Sequence, residues 1–102
     1  MRQLTLESND HTLLDNDWMY IFIQSPFCGT CQLASKMLET VERTYNRNLF
    51  YDLNASLHPD LMQQYEIESV PCLLVIHNGT IKEKIYAFHS VPYLYELMSK
   101  YV

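Results

Sequence analysis

The sequence predicts a single α/β domain in three layers, with a mixed central sheet covered by helices on both faces, in the order βαβαββα. Three observations predict it. An apolar strand-like run at 19–23 leads into a long amphipathic pattern that continues to Tyr45; a second strand-like run at 49–53 leads into a shorter helical pattern; and two further runs are hinged at Asn78-Gly79. Strands joined through a helix pair in parallel, whereas strands joined by a two-residue turn pair antiparallel, so both kinds must meet in one sheet. A chain of 102 residues with 48% apolar content can bury one core and has no room for a second, so residues 1–102 are read as one domain.

Residues 1–7 read as a first strand, and residues 8–17 as a polar stretch with a short helix around 11–14. Residues 18–24 are an unbroken apolar run rich in aromatic and β-branched side chains, as expected for a central strand buried on both faces. From Cys31, apolar residues recur at Ala34, Met37, Leu38, Val41 and Tyr45, which gives one buried helical face. Lys36, Glu39, Glu42 and Arg43 fill the other positions and are expected on the solvated side. Residues 49–53 read as a strand, 59–65 as a short helix, 72–77 and 81–87 as a hairpin across Asn78-Gly79, and 92–101 as a last helix.

A net charge of -5, with seven lysines and arginines and no basic cluster, argues against nucleic acid or an anionic membrane as the partner. No run reaches the length of a membrane span, and the first residues lack the apolar segment of a secretory signal, so a cytoplasmic monomer is expected. Disulfides in a reducing cytosol are mostly transient and catalytic, so three cysteines there suggest a working pair and one further thiol.

Cys28-Gly29-Thr30-Cys31 supplies the pair. It stands directly between the central strand and the long helix. Two thiols three positions apart at a first helical turn can close a small disulfide ring, and the first of them faces unpaired N–H groups and the positive end of the helix dipole. A thiolate is favoured there, and the thiolate is the nucleophile of thiol-disulfide exchange. Cys28 is therefore expected to have a pKa below the free-thiol value of about 8.5, mildly so because no lysine or arginine adjoins the motif. Some forty residues downstream, Val70-Pro71-Cys72 opens the apolar run Leu73 to Ile76; a proline is tolerated at the head of a strand and is where cis bonds occur.

With CxxC at a strand-to-helix junction, Pro71 at the head of a later strand and the Asn78-Gly79 hairpin, the chain resembles the thioredoxin family over essentially its whole length. The resemblance implies a thiol-disulfide oxidoreductase that needs no cofactor. Cys28 would be the exposed attacking thiolate, Cys31 the buried resolving thiol, and Pro71 the family's cis-proline packed beside them. The backbone of Val70 would pair with an extended substrate segment, a form of strand addition. Substrates would be disulfide-containing proteins or low-molecular-weight thiols, with an unidentified reductase or thiol donor supplying electrons.

Several positions depart from the family pattern. Phe27 and Thr30 stand where thioredoxins carry tryptophan and proline. Without the proline the loop is looser and a backbone N–H returns near the thiolate, so the disulfide is expected to be more oxidising than thioredoxin's, at about -270 mV. Phe22 replaces the family's buried aspartate, and Asp52 replaces its buried lysine. Asp52 is either a solvated strand-end carboxylate, the commoner situation for an aspartate, or a base that takes the proton from Cys31. Ala87-Phe88 stands where the family has a glycine, which adds bulk beside the substrate groove; Phe27 and Phe88 either take part in recognition or complete the hydrophobic cover. Glu66 and Glu68 fall just before Val70 and read as solvated loop residues.

Cys72 is read as a small apolar core residue, with a third reactive thiol as the alternative. A Cys₃His zinc site built from Cys28, Cys31, Cys72 and one of His11, His58, His77 or His89 is disfavoured, because no second closely spaced ligand pair accompanies the CxxC. Two other readings compete with a general disulfide reductase: a specialised reductase of S-thiolated proteins, and a non-catalytic module that uses its groove to hold partners.

Overall fold

The computed structural model describes residues 1–4 and 17–102. Among these, β1 (Arg2–Gln3), β2 (Trp18–Gln24), α1 (Gly29–Tyr45), β3 (Phe50–Asn54), α2 (Pro59–Gln64), β4 (Cys72–His77), β5 (Thr80–Ile85) and α3 (Val91–Met98) follow one another, with a short 3₁₀ turn at Ala55–Leu57. The expected helix around 11–14 lies outside the described residues, as does the end of the expected first strand.

The five strands form one mixed sheet in the order β1-β3-β2-β4-β5. β1 and β2 run parallel to β3, while β4 is antiparallel to β2 and β5 to β4. β2 is central, as its continuous apolar sequence requires: its side chains from Met19 to Ile23 are all buried, alternating between the two faces. On one face Tyr20, Phe22, Phe50, Leu73 and Val75 meet Ala34, Leu38 and Val41 of α1 and Leu94, Leu97 and Met98 of α3. On the other, Met19, Ile21, Ile23, Leu53, Cys72, Leu74 and Ile76 are covered by Leu61 and Met62 of α2 and by Tyr65 and Ile67. Phe22 and Phe50 are fully buried, and each contributes about 1.5–3 kcal/mol of hydrophobic stabilisation.

Turns and caps set the boundaries. Asn78 and Gly79 both take positive φ, 51° and 80°, the pairing that a two-residue hairpin needs, and His77 and Thr80 pair across it. α1 ends at Asn46, whose left-handed φ of 56° lets its own N–H and that of Arg47 reach back to the carbonyls of Arg43 and Glu42. Ser90 caps α3 by accepting the Tyr93 N–H, with Pro92 in the first turn.

One assignment on α1 is corrected. Glu42 is buried rather than solvated, at 6% exposure. Its Oε2 accepts the N–H groups of Leu49 and Phe50 at 2.9 and 3.0 Å, and its Oε1 lies 3.0 Å from the Met1 amino group. Charged hydrogen bonds offset the cost of burying the carboxylate and tie the start of β3 to α1.

Candidate active site

β2 delivers the chain to a short loop, Ser25-Pro26-Phe27, which turns it into α1. The Ser25 carbonyl accepts the Cys28 N–H at 3.0 Å and the Ser25 hydroxyl accepts the Phe27 N–H at 3.2 Å, so the turn is fixed before the helix begins. Cys28 is the N-cap of α1, with extended backbone angles of φ -118° and ψ 134°. Its sulfur takes the place of the usual Ser, Thr or Asp oxygen and accepts the Cys31 N–H at 3.2 Å. The Thr30 hydroxyl lies 3.8 Å from the same sulfur. Cys28 and Cys31 are joined by a disulfide, with Cα atoms 5.3 Å apart. Cys28 is partly exposed and Cys31 fully buried, so only the first sulfur can be approached from outside.

Beside the disulfide runs an apolar groove lined by Thr30, Leu33, Met37, Pro71, Phe88 and His89, with Tyr86 at its edge. The Val70-Pro71 peptide bond is cis. Phe27 is 89% exposed and covers none of the core, which removes the reading of it as hydrophobic cover. Phe88 takes the other of the two roles left open for it, hydrophobic cover. It is 7% exposed and packs edge-on against Phe22, ring centroids 5.9 Å apart, while Ala87 takes the exposed position. The bulk that was expected to narrow the groove from outside forms part of its floor, and the pair Phe22 and Phe88 fills the interior with apolar contact.

Asp52 projects to the α1 face of the sheet, in register with Phe22. Its carboxylate accepts from the Gln24 side-chain amide at 2.6 and 2.8 Å. Both residues line a polar cleft with Gln3, Ser25, Pro26, Gln32 and Asn54, directly beside the loop that leads to Cys28. Asp52 is therefore half-buried and partnered rather than freely solvated. The Gln24 partnership is missing from the sequence reading, because it depends on the parallel register of β2 and β3, which places Gln24 beside Asn54 and one pleat from Asp52.

Cys72 is fully buried on the other face of the sheet, among the residues under α2. Burial pushes its thiol up to about 11, with the nearby Tyr86 and Lys84 side chains acting in the opposite sense. Alternation along β4 explains the placement: Leu73 points to the α1 side, so Cys72 points away from it. Among the described residues no three His, Cys, Asp or Glu side chains converge as metal ligands do. Also among them, no helix is long and apolar enough to cross a membrane.

Residues 1–100 match the thioredoxin family model. A thioredoxin-like protein of Bacillus subtilis, YusE, is 44% identical over 100 residues, covering 98% of this chain and 92% of its own. A chloroplastic M-type thioredoxin of Spinacia oleracea is 28% identical over 102 residues, and there the match spans 52% of the relative's length. Among solved structures, a thioredoxin from Plasmodium falciparum superposes over the whole of both chains with a TM-score of 0.83 at 19% identity, a likeness of fold. A family match over nearly the whole chain, a relative at 44% identity and a cysteine pair closed at the head of α1 together place this chain in the thioredoxin family, as a thiol-disulfide oxidoreductase.

Proposed function

We propose that the protein reduces disulfides of proteins or of low-molecular-weight thiols through a mixed disulfide on Cys28 that Cys31 resolves. In the reduced protein, the Cys28 thiolate attacks one sulfur of a substrate disulfide, forms a new S–S bond to it and expels the other sulfur as a thiolate. Cys31 then loses its proton and attacks the Cys28 sulfur, which releases the substrate's remaining thiol and closes the Cys28–Cys31 disulfide. Two electrons pass from the dithiol to the substrate, and an external reductase or thiol donor must return them. The cytoplasm supplies donors of that kind.

The observation that carries this reading is the Cys28 cap. A sulfur that accepts the Cys31 N–H at 3.2 Å, at the N-terminus of a 17-residue helix, sits where negative charge is stabilised both by a hydrogen bond and by the helix dipole. The exposed Phe27 and the apolar groove beside Pro71 offer a surface for the substrate chain, and in this reading Val70, the residue before Pro71, supplies the backbone edge.

Asp52 is the base that we assign to resolution. It lies on the same side of the sheet as α1, in a polar cleft that also receives Gln32, the neighbour of Cys31. Gln24 holds its carboxylate in place, and proton transfer from Cys31 runs directly or through one water.

The test is reduction of insulin disulfides by the wild-type protein, with dithiothreitol as donor. Catalysis above the donor background that is lost in Cys28→Ser supports the assignment. A Cys31→Ser variant should accumulate a stable adduct on Cys28, visible by mass. Equal turnover by wild type and Cys28→Ser would refute it.

A further inference from the structure

Residues 65–71, between α2 and β4, belong to neither helix nor strand, yet they carry the Val70 backbone that the proposed reading assigns to substrate pairing. A segment outside any ladder keeps its shape only through the contacts made to it from elsewhere. Two such contacts come from the end of β5 and the residue that follows it. The Tyr86 hydroxyl accepts the Glu68 N–H at 3.2 Å, and the Lys84 ammonium donates to the Glu66 carbonyl at 3.2 Å. Lys84 and Tyr86 are two residues apart and so project from the same face of the extended chain.

Tyr86 is placed for this by register. Ile85 pairs with Leu73, so the next residue stands alongside Cys72 and the head of β4, level with the segment that carries Val70. Its ring packs into the core under α2 and lines the substrate groove with Pro71 and Thr30. The ring stands beside the buried Cys72 in the core under α2 and the hydroxyl reaches the loop, so the side chain bridges core and loop.

We propose that Tyr86 is a positioning residue for protein substrates: its hydroxyl fixes Glu68, two residues before Val70, and so holds ready the backbone edge that a substrate strand pairs with. The inference rests on the proposed reading of Val70. Lys84 gives a second, independent hold on the start of the segment.

Tyr86→Phe removes the hydroxyl and keeps the ring. With insulin as substrate, KM should rise about threefold to tenfold, the loss expected from one neutral hydrogen bond, while kcat stays within about twofold. With hydroxyethyl disulfide, which has no peptide backbone to pair, kcat/KM should change by less than about twofold. Lys84→Met should raise the insulin KM in the same direction and leave the small disulfide equally unaffected. An unchanged insulin KM in both variants, or an equal loss with both substrates, overturns the role given to Tyr86 and leaves exchange on Cys28 standing. Reduction of hydroxyethyl disulfide but not of insulin by the wild type overturns the strand-pairing reading and this inference with it.

Discussion

Cys28 and Cys72 show how placement decides what a thiol can do. Cys72 follows Pro71 in the chain, and Thr30, two residues after Cys28, lines a groove with Pro71. Cys28 caps a helix, is partly exposed and receives an N–H donor. Cys72 starts an inner strand, is fully buried, and its thiol is pushed up to about 11 by the loss of solvent. A helix end stabilises a sulfur anion through an N–H donor and the dipole, whereas burial at the strand end penalises one through desolvation. One residue type thus stands where a thiolate is favoured at the helix end and where it is penalised at the strand end.

The largest expected effect breaks the comparison most directly. Cys28→Ser should reduce insulin turnover to the uncatalysed background, whereas Cys72→Ala should leave kcat/KM within about twofold, since a buried thiol of raised pKa is almost entirely protonated at neutral pH. A large loss in Cys72→Ala, with the fold intact by circular dichroism, would make Cys72 a working third thiol. The two variants should differ at high pH as well. Cys72 binds its proton more tightly folded than unfolded, so wild-type stability should fall as pH rises from about 9 toward 11, and Cys72→Ala should lose less over that range.

Asp52 extends the comparison to the second cysteine of the pair. Cys31 is as buried as Cys72, so it needs a base if it is to resolve the mixed disulfide at a useful rate. Asp52→Asn keeps the shape and removes that base. Stopped-flow decay of a preformed Cys28 mixed disulfide should slow by about tenfold or more, while alkylation of Cys28 is unchanged. An unaltered decay rate across neutral pH would assign Asp52 to structure alone.

The smallest effect concerns Thr30. Its hydroxyl lies 3.8 Å from the Cys28 sulfur, and its own N–H is free of the proline ring that thioredoxins have there. Thr30→Pro should destabilise the reduced dithiol and move the midpoint potential toward thioredoxin's value of about -270 mV, by about 30 mV for each factor of ten in equilibrium constant. Equilibration against glutathione reads the shift, and a wild-type potential at or below that value would contradict the assigned effect of the missing proline.

The features legible in the sequence are those that short-range chemistry controls. The central strand follows from an apolar run, α1 from its period and the hairpin from Asn78-Gly79. The reactive pair follows from two cysteines at a strand-to-helix junction. The features that were not legible depend on which strand lies beside which, and in what register. Glu42 reads as a surface residue until the start of β3 is seen to bring two N–H groups to it. Phe88 reads equally as rim or as cover until Phe22 is found packed against it, and Gln24 has no visible role until β3 places Asp52 within reach. Register also separates Cys72 from Cys31, because a single step along β4 changes the face of the sheet. Tyr86 and Glu68 are 18 residues apart, and nothing local to either announces the other.

The contrast between the two thiol environments can be measured in one experiment on the reduced wild-type protein. Iodoacetamide alkylation followed across pH, with the modified site resolved by peptide mass, reports thiolate formation at each cysteine separately. Cys28 should react with a midpoint below the free-thiol value of about 8.5, while Cys72 stays unmodified until the pH approaches the value of about 11 to which burial raises it. A Cys28 midpoint at or above the free-thiol value, or modification of Cys72 at neutral pH in the folded protein, would contradict the claim that the helix end activates one thiol and the strand end silences the other.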